Sequence, residues 1–164
     1  MPQIAAGAIR RHARPAALGP TLTAALGAKR DGVDVYIAAT KLFLEQGLLL
    51  NATLRATRAN QNGLLGFGGA QSPGTTLQPE FSLAWLINSS LAIGAEYRTK
   101  PNGLQRSALG TGALKEDDWW DGFVAWAPNK TFSLTLAYVD LGRIAPAVQP
   151  RRQTGTYLSA QFAF

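Results

Sequence analysis

Apolar and polar residues alternate with a period of two along most of the chain after residue 20, and this alternation restricts the fold more than any other feature. In Leu50–Thr57, leucine and alanine alternate with asparagine, threonine and arginine. A period of two places successive side chains on opposite faces of a strand, whereas an amphipathic helix needs a period near 3.6. The sequence therefore predicts an all-β protein. Because a one-residue shift would exchange the two faces, the pattern also specifies the register of each strand.

Turn-forming residues divide the alternating pattern into eight predicted strands. The expected strands are 21–30, 33–44, 48–60, 77–87, 91–100, 117–126, 131–141 and 154–164. Asp31-Gly32 is a strong signal for a tight hairpin. Apart from that hairpin, short turns alternate with long loops along the chain. Outer-membrane barrels sort their connections in this way, with the short turns facing the periplasm.

The composition agrees with a membrane barrel. Charged residues make up 16% of the chain, against about 25% in soluble domains, and no run of 18 apolar residues exists that could form a transmembrane helix. Strands of about 9–11 residues cross a bilayer when they are tilted. The expected fold is an antiparallel up-and-down transmembrane β-barrel with about eight strands, or a fragment of a larger barrel.

Aromatic residues on the predicted apolar face fall near the two ends of the strands. Those near the short turns are Trp85, Trp126, Phe132, Phe162 and Phe164, and those near the long loops are Phe81, Tyr97, Trp120 and Tyr138. Two aromatic rows of this kind are typical of the interfaces of a membrane barrel. The core of a soluble β-barrel that binds a hydrophobic ligand is the alternative interpretation.

The first residues do not fit the alternating pattern. Residues 1–20 are basic and lack the continuous apolar core of a signal peptide. We expect them to form a poorly ordered leader, with 21–164 as the outer-membrane barrel domain. We also expect the chain to be incomplete upstream or its start to be misassigned.

Charged residues on the predicted polar face are the candidate functional groups. They are Lys29, Asp34, Arg55, Glu80, Glu96, Arg98, Lys100 and Asp121. The expected ion pairs on neighbouring strands are Lys29–Asp34, Arg55–Glu80, and Arg98 with Glu80 or Glu96. In a small barrel such charges form a packed network, and in a wider barrel they line a channel. The predicted function is porin-like passage or binding of small solutes, and the alternative is a closed structural or adhesive membrane barrel with a filled interior.

Other classes of function find little support in the sequence. The chain has no cysteine and a single histidine, His12, outside the predicted strands, so we expect no enzyme, no metal and no cofactor. The net charge of +6 is spread over the connections between strands, without the aromatic-lined basic face that binds nucleic acid. The acidic run 116–118 has poor spacing for calcium. The glycine-rich segment 64–74 is expected to be a loop or an inward-folded constriction.

Several segments resemble one protein family. AATKLFL, LLLNATLRATRANQNGLLGFGG, GAEYR, FVAWAPNK and LAYVDLG are similar to the domain-of-unknown-function 3034 family over about residues 26–164. Members of that family look like bacterial outer-membrane barrels. The resemblance implies a location in the outer membrane of Gram-negative cells, and it brings no established activity. It also implies a departure at the start, where family members have a secretory leader and further strands.

The last strand carries apolar residues at alternate positions up to the final residue: Leu158, Ala160, Phe162 and Phe164. This pattern resembles the signal that the barrel assembly machinery reads. The expected partners are therefore this machinery and outer-membrane lipids, together with small solutes if the barrel is open.

Overall fold

The described residues form ten strands and one short helical turn, and eight of these strands build one antiparallel sheet. The computed structural model describes residues 1–13, 25–70 and 74–163. The strands are β1 (Gln3–His12), β2 (Asp31–Phe43), β3 (Leu48–Thr57), β4 (Thr76–Asn88), β5 (Leu91–Arg98), β6 (Arg106–Ser107), β7 (Gly110–Thr111), β8 (Trp119–Asn129), β9 (Phe132–Asp140) and β10 (Thr154–Phe162). In the large sheet the order is β1-β2-β3-β4-β5-β8-β9-β10, while β6 and β7 form a separate hairpin. The predicted all-β, antiparallel, eight-stranded architecture is confirmed.

The prediction of the first strand is wrong. The first strand is Gln3–His12, inside the expected leader, and it pairs with β2. Of the predicted strand 21–30, residues 21–24 lie outside the described residues and 25–30 belong to no strand of the sheet. Alanine and glycine occupy several positions of β1, such as Ala5 and Gly7, so the contrast between its faces is weak.

The hairpin predicted at Asp31-Gly32 is also wrong, because both residues begin β2 and pair with His12 and Arg11. Gly32 is required for a different reason: a Cβ atom there would lie 2.0 Å from Phe67 Cδ1. The connection before β2 is therefore long. Long connections (13–30, 58–75, 99–118 and 141–153) now alternate without exception with short ones (44–47, 89–90 and 130–131).

The two faces of the sheet differ in composition and exposure. One face, here called the apolar face, carries the aliphatic and aromatic residues, and these are open to the surroundings: Val35 is 54% exposed and Phe162 67%. In the described strands, charged side chains on this face occur near strand ends. They are Arg10, Asp31, Lys41 and Asp140, and His12 lies opposite Asp31. The opposite, polar face is shielded around Asp34, which is only 1% exposed, whereas Glu96 on the same face is exposed.

The sheet curls toward its polar face. Arg11 Nη1 on β1 donates to the carbonyl oxygen of Asn62 at 3.2 Å, and Gln61 Nε2 donates to the carbonyl oxygen of Ile144, beyond β9, at 3.2 Å. In a flat sheet β1 and β9 would lie about 29 Å apart, six spacings of about 4.8 Å. The two ends are thus drawn together by one loop. Among the described residues no pairing joins β1 to β10, so the sheet is not closed into a barrel.

The long connections pack on one another at one end of the sheet, and we call this assembly the cap. Its buried core takes one or two residues from each long connection: Leu26, Leu65, Leu104, Leu114 and Ala145. Asn60–Gly63 forms a 3-10 turn in which Gln61 (φ 46°) and Asn62 (φ 54°) adopt left-handed conformations. The described part of segment 64–74 folds inward in this cap. No helix in the described ranges has the length and apolarity needed to cross a membrane.

Candidate functional site

Five charged residues on five adjacent strands form a continuous chain of ion pairs on the polar face, here called the charge ladder. Arg11 lies 3.2 Å from Asp34, and Asp34 lies 3.8 Å from Arg55. Arg55 in turn lies 2.7 Å from Glu80, which lies 3.3 Å from Arg98. The strands bring these residues together because β1 to β5 are neighbours in order: Glu80 and Arg98 are direct cross-strand partners, and the other contacts join inward positions that are diagonal to each other.

The ladder is shielded most strongly at its centre: the Asp34 side chain is 1% exposed, whereas Arg98 at one end is 35% exposed. Asp34 Oδ2 accepts no hydrogen bond from the described residues and is neutralised by its ion-pair contacts with Arg11 and Arg55. The Asp34 carboxylate accepts a hydrogen bond from Thr57 Oγ1 at 2.5 Å. Arg55 donates to Glu80 in a bidentate arrangement, with Nε and Nη2 at 2.7 and 3.0 Å from the two carboxylate oxygens. Bidentate, charge-assisted pairs are among the strong hydrogen bonds of proteins. Buried charges are tolerated when they are paired in this way, so the ladder has the geometry of a structural network.

The expected ion pairs are present except for the first. Arg55 and Arg98 both pair with Glu80, as expected. The prediction for Lys29 is wrong, because its side chain is exposed in the first long connection and its backbone pairs with Phe67. Asp34 pairs instead with Arg11 and Arg55. Sequence reasoning missed Arg11 because it assigned β1 to the leader.

Glu96 and Asp121 form a second, different region of the polar face, here called the carboxylate pair. They are direct cross-strand partners on β5 and β8. Ser82 Oγ approaches Glu96 Oε1 at 3.4 Å, and within the described ranges neither carboxylate has a basic side chain within 4.0 Å. Like charges placed directly opposite each other on neighbouring strands are destabilising.

A cavity of about 530 Å³ lies between the charge ladder and the carboxylate pair. Its polar lining is Asn51, Thr53, Glu80, Ser82, Glu96, Arg98, Trp119 and Asp121. Cavities of this volume accept small organic molecules. Hydroxyl, amide, carboxylate and guanidinium groups are all available to a solute here, with an excess of unpaired negative charge at one side.

Two buried ionisable groups stand where the cap meets the polar face. Lys100 is 5% exposed; its Nζ donates to Asn62 Oδ1 at 2.9 Å and lies 3.2 Å from the centroid of the Trp119 ring. Glu116 is 3% exposed and accepts a hydrogen bond from the backbone N–H of Gln61 at 2.8 Å. Burial lowers the pKa of Lys100 to about 7 and raises the pKa of Glu116 to about 8. Lys100, expected on the polar face, thus belongs to the cap.

The acidic run 116–118 does not converge on one point. Glu116 binds the backbone of Gln61, Asp117 holds Arg143 through two hydrogen bonds of 2.8 and 2.9 Å, and Asp118 accepts from the hydroxyl of Tyr97. In the part of the chain that the structure describes, no three histidine, cysteine or acidic side chains are grouped as metal ligands.

The residues predicted as an assembly signal lie on the apolar face of β10, at the sheet edge. Leu158 and Phe162 are each 67% exposed, and Ala160 between them is exposed too. Phe162 packs on Phe132 with ring centroids 5.0 Å apart. Phe164 lies outside the described residues.

The fold and the polar face define a class of all-β protein: an eight-stranded antiparallel sheet with an exposed apolar face and charged groups on its shielded face. The family model of a protein of unknown function, DUF3034, matches residues 1–161, and the chain belongs to that family. The match begins ahead of residue 26, where the resemblance in the sequence was expected to begin. Nothing among the curated proteins or the solved structures matches the chain.

Proposed function

We propose that the protein is a β-barrel of the Gram-negative outer membrane that binds or passes small solutes through a charged lumen. The observation that carries this proposal is the distribution of apolar and charged side chains over the two faces of the sheet, which is the reverse of that in a soluble protein. A soluble barrel or sandwich buries its apolar face, whereas here that face is exposed and buried charges occupy the other. An exposed apolar face is stable in a lipid environment. A barrel with apolar residues outward and polar residues inward presents such a face to lipid.

The aromatic rows support the same proposal. Trp126 and Phe162 both pack against Phe132 on the apolar face near the short turns. Trp120 packs against Tyr138, with centroids 5.8 Å apart, near the long connections. Rows of aromatic side chains at two levels are the arrangement that membrane interfaces favour.

Membrane insertion requires closure of the sheet, because unpaired backbone groups in hydrocarbon cost several kcal/mol each. We propose that β1 pairs with β10, which runs antiparallel to it from the long connections to the short-turn end. Cysteine pairs that combine Ile4, Ala6 or Ala8 with Leu158 or Ala160 test this seam. An intramolecular disulfide in one combination is expected, and crosslinks formed only between chains would show an assembly of several copies instead.

Extraction of membranes with sodium carbonate tests the proposed location. The protein is expected in the pellet, and its release into the soluble fraction would contradict membrane insertion. Conductance of the refolded full chain in a planar bilayer tests solute passage. A silent bilayer at every voltage would favour the second candidate, a closed structural barrel, for which the packed core of the cap is the specific support.

The same proposal includes recognition of the last strand by the barrel assembly machinery. Deletion of Phe164 is expected to impair membrane assembly more than the loss of about 1 kcal/mol of packing would explain. Substitution of Phe132, an aromatic residue of the same row, is the matched control. Normal assembly of the deletion variant would leave Phe162 and its neighbours with a packing role alone.

A further inference from the structure

Exposed positive charge is concentrated at one end of the sheet, and we call this feature the cationic rim. Its exposed basic residues are Arg10, Lys29, Arg30, Arg106, Lys115, Arg143, Arg151 and Arg152. Among the described residues of this end, the exposed carboxylates are Asp31 and Glu96, the latter on the polar face two residues before the end of β5. At the opposite end, the exposed charged side chains are Lys41, Glu45 and Lys130, which together carry a net charge of +1. The asymmetry is therefore a property of the long connections.

Part of the rim stands directly above the apolar face. Asp140 is the cross-strand partner of Trp120, and it accepts a hydrogen bond from Arg152 Nε at 2.9 Å. Arg152 Nη1 also lies 3.6 Å from Asp117, which holds Arg143. The carboxylates thus fix two guanidinium groups at the border between the aromatic row and the solvent.

These arginines keep donors for a further ligand. Arg143 uses Nε and Nη2 for Asp117, and the side chains of Arg143 and Arg152 remain 44% and 51% exposed. Guanidinium groups bind phosphate through paired N–H donors. Arg151 is exposed beside them, without a carboxylate within 4.0 Å in the described part of the chain.

We propose that the cationic rim binds the phosphate groups of lipid headgroups in the leaflet that surrounds the long connections. This inference rests on the proposed membrane insertion. A lipid is favoured over a soluble polyanion because the arginines lie immediately above exposed tryptophan and tyrosine rings, at the level where headgroups meet acyl chains. The rim therefore distinguishes the two sides of the bilayer.

Lipid selectivity of the refolded full chain tests this proposal. The protein is inserted in phosphatidylcholine vesicles with traces of spin-labelled phosphatidic acid or spin-labelled phosphatidylcholine, and the motionally restricted fraction of each label is measured. We expect association with phosphatidic acid to be at least about threefold stronger, and to weaken at high salt. Arg152→Gln is expected to move this ratio toward one.

Arg151→Gln is the second variant, because no carboxylate of the described residues lies within 4.0 Å of Arg151, and it is expected to lower the ratio as well. Lys130→Gln, at the opposite end, removes the same charge and is expected to leave the ratio unchanged. A ratio of one for the natural chain, or an equal loss in Lys130→Gln, would overturn the proposal.

Vesicle flotation separates the two proposals. A chain that fails to float with the vesicles overturns membrane insertion and headgroup binding together. A chain that floats with a ratio of one overturns headgroup binding alone. Binding of heparin together with a ratio of one would identify the rim as a site for soluble polyanions, against the lipid proposal.

Discussion

The charge ladder and the carboxylate pair occupy the same face of the same sheet, yet they follow opposite electrostatic rules. In the ladder three arginines alternate with two carboxylates, and the distances of 2.7–3.8 Å leave each charge with a partner. Glu96 and Asp121 face each other with the same charge. Buried charge is stable when it is paired, so the ladder serves the fold. The carboxylate pair costs stability, and we expect its role to be the binding of a solute.

The largest expected effect is that of Asp34→Asn, at the most buried charge of the ladder. Two arginines would lose their shared carboxylate, and loss of one partner in a buried ion pair costs about 3 kcal/mol or more. We expect the free energy of unfolding, measured by urea titration of the refolded protein in vesicles, to fall by that amount. Glu96→Gln is the control, and relief of the like-charge repulsion with Asp121 is expected to raise this free energy by less than about 0.5 kcal/mol. A similar loss in both variants would remove the distinction between the two regions.

A double-mutant cycle on Arg55→Met and Glu80→Met measures the next largest effect. Because the pair is bidentate and shielded, we expect a coupling energy of about 2 kcal/mol. Arg10 and Asp31, 4.0 Å apart and largely exposed, are the control pair, and their coupling is expected to stay below about 0.5 kcal/mol. Equal couplings would mean that the polar face is as hydrated as the rim.

Glu96→Gln is expected to act on solute passage with little effect on stability. Removal of one unpaired carboxylate from the cavity lowers its attraction for cations, so the cation-to-anion permeability ratio in a planar bilayer should fall severalfold. Asp31→Asn removes the same charge from the exposed rim and is expected to change this ratio much less. An unchanged ratio in Glu96→Gln would exclude the carboxylate pair from the solute path.

The last expected effect is a pH dependence of a single local opening, at Glu116, a carboxylate buried in the cap. Burial raises its pKa from 4.5 to about 8, so between these values the closed cap binds more protons than the opened one. The stability of the cap contributed by this group therefore falls as pH rises from about 4.5 to 8.

Hydrogen exchange of the amides of Asn60–Gly63, corrected for intrinsic rates, reports this opening. Glu116→Gln keeps the acceptor for the Gln61 N–H and cannot ionise, so it should flatten the pH dependence in this range. Glu45→Gln, in an exposed short turn, is the control and should behave like the natural chain. The same slope in Glu116→Gln would assign the pH dependence to another group.

Much of the sheet was predictable because alternation is a local property. The faces of β3, β4, β5, β8, β9 and β10 follow from it, and so do the pairs of Glu80 with Arg55 and Arg98. Alternation failed in β1, where alanine and glycine blur the two faces. That single error removed Arg11 from the ladder and assigned its place to Lys29.

Gly32 shows why turn signals are less dependable than alternation. Asp-Gly is favourable in a tight hairpin, but a glycine is equally required where a ring lies against the backbone, and Phe67 occupies that space. The residue that requires this glycine lies 35 positions further along the chain. No local pattern distinguishes these two uses.

From β3 onward, the sequence by itself determined which side chains share a face, where the chain reverses and which ends of the strands carry the long connections. These properties depend on neighbours one or two residues apart. The tertiary structure alone decided that Arg11 and Arg55 neutralise Asp34, that Lys100 and Glu116 are buried, and that the long connections form a cap. Gln61 meets Ile144 across 83 residues of chain, and contacts of that separation arise only when the curled sheet brings its ends together.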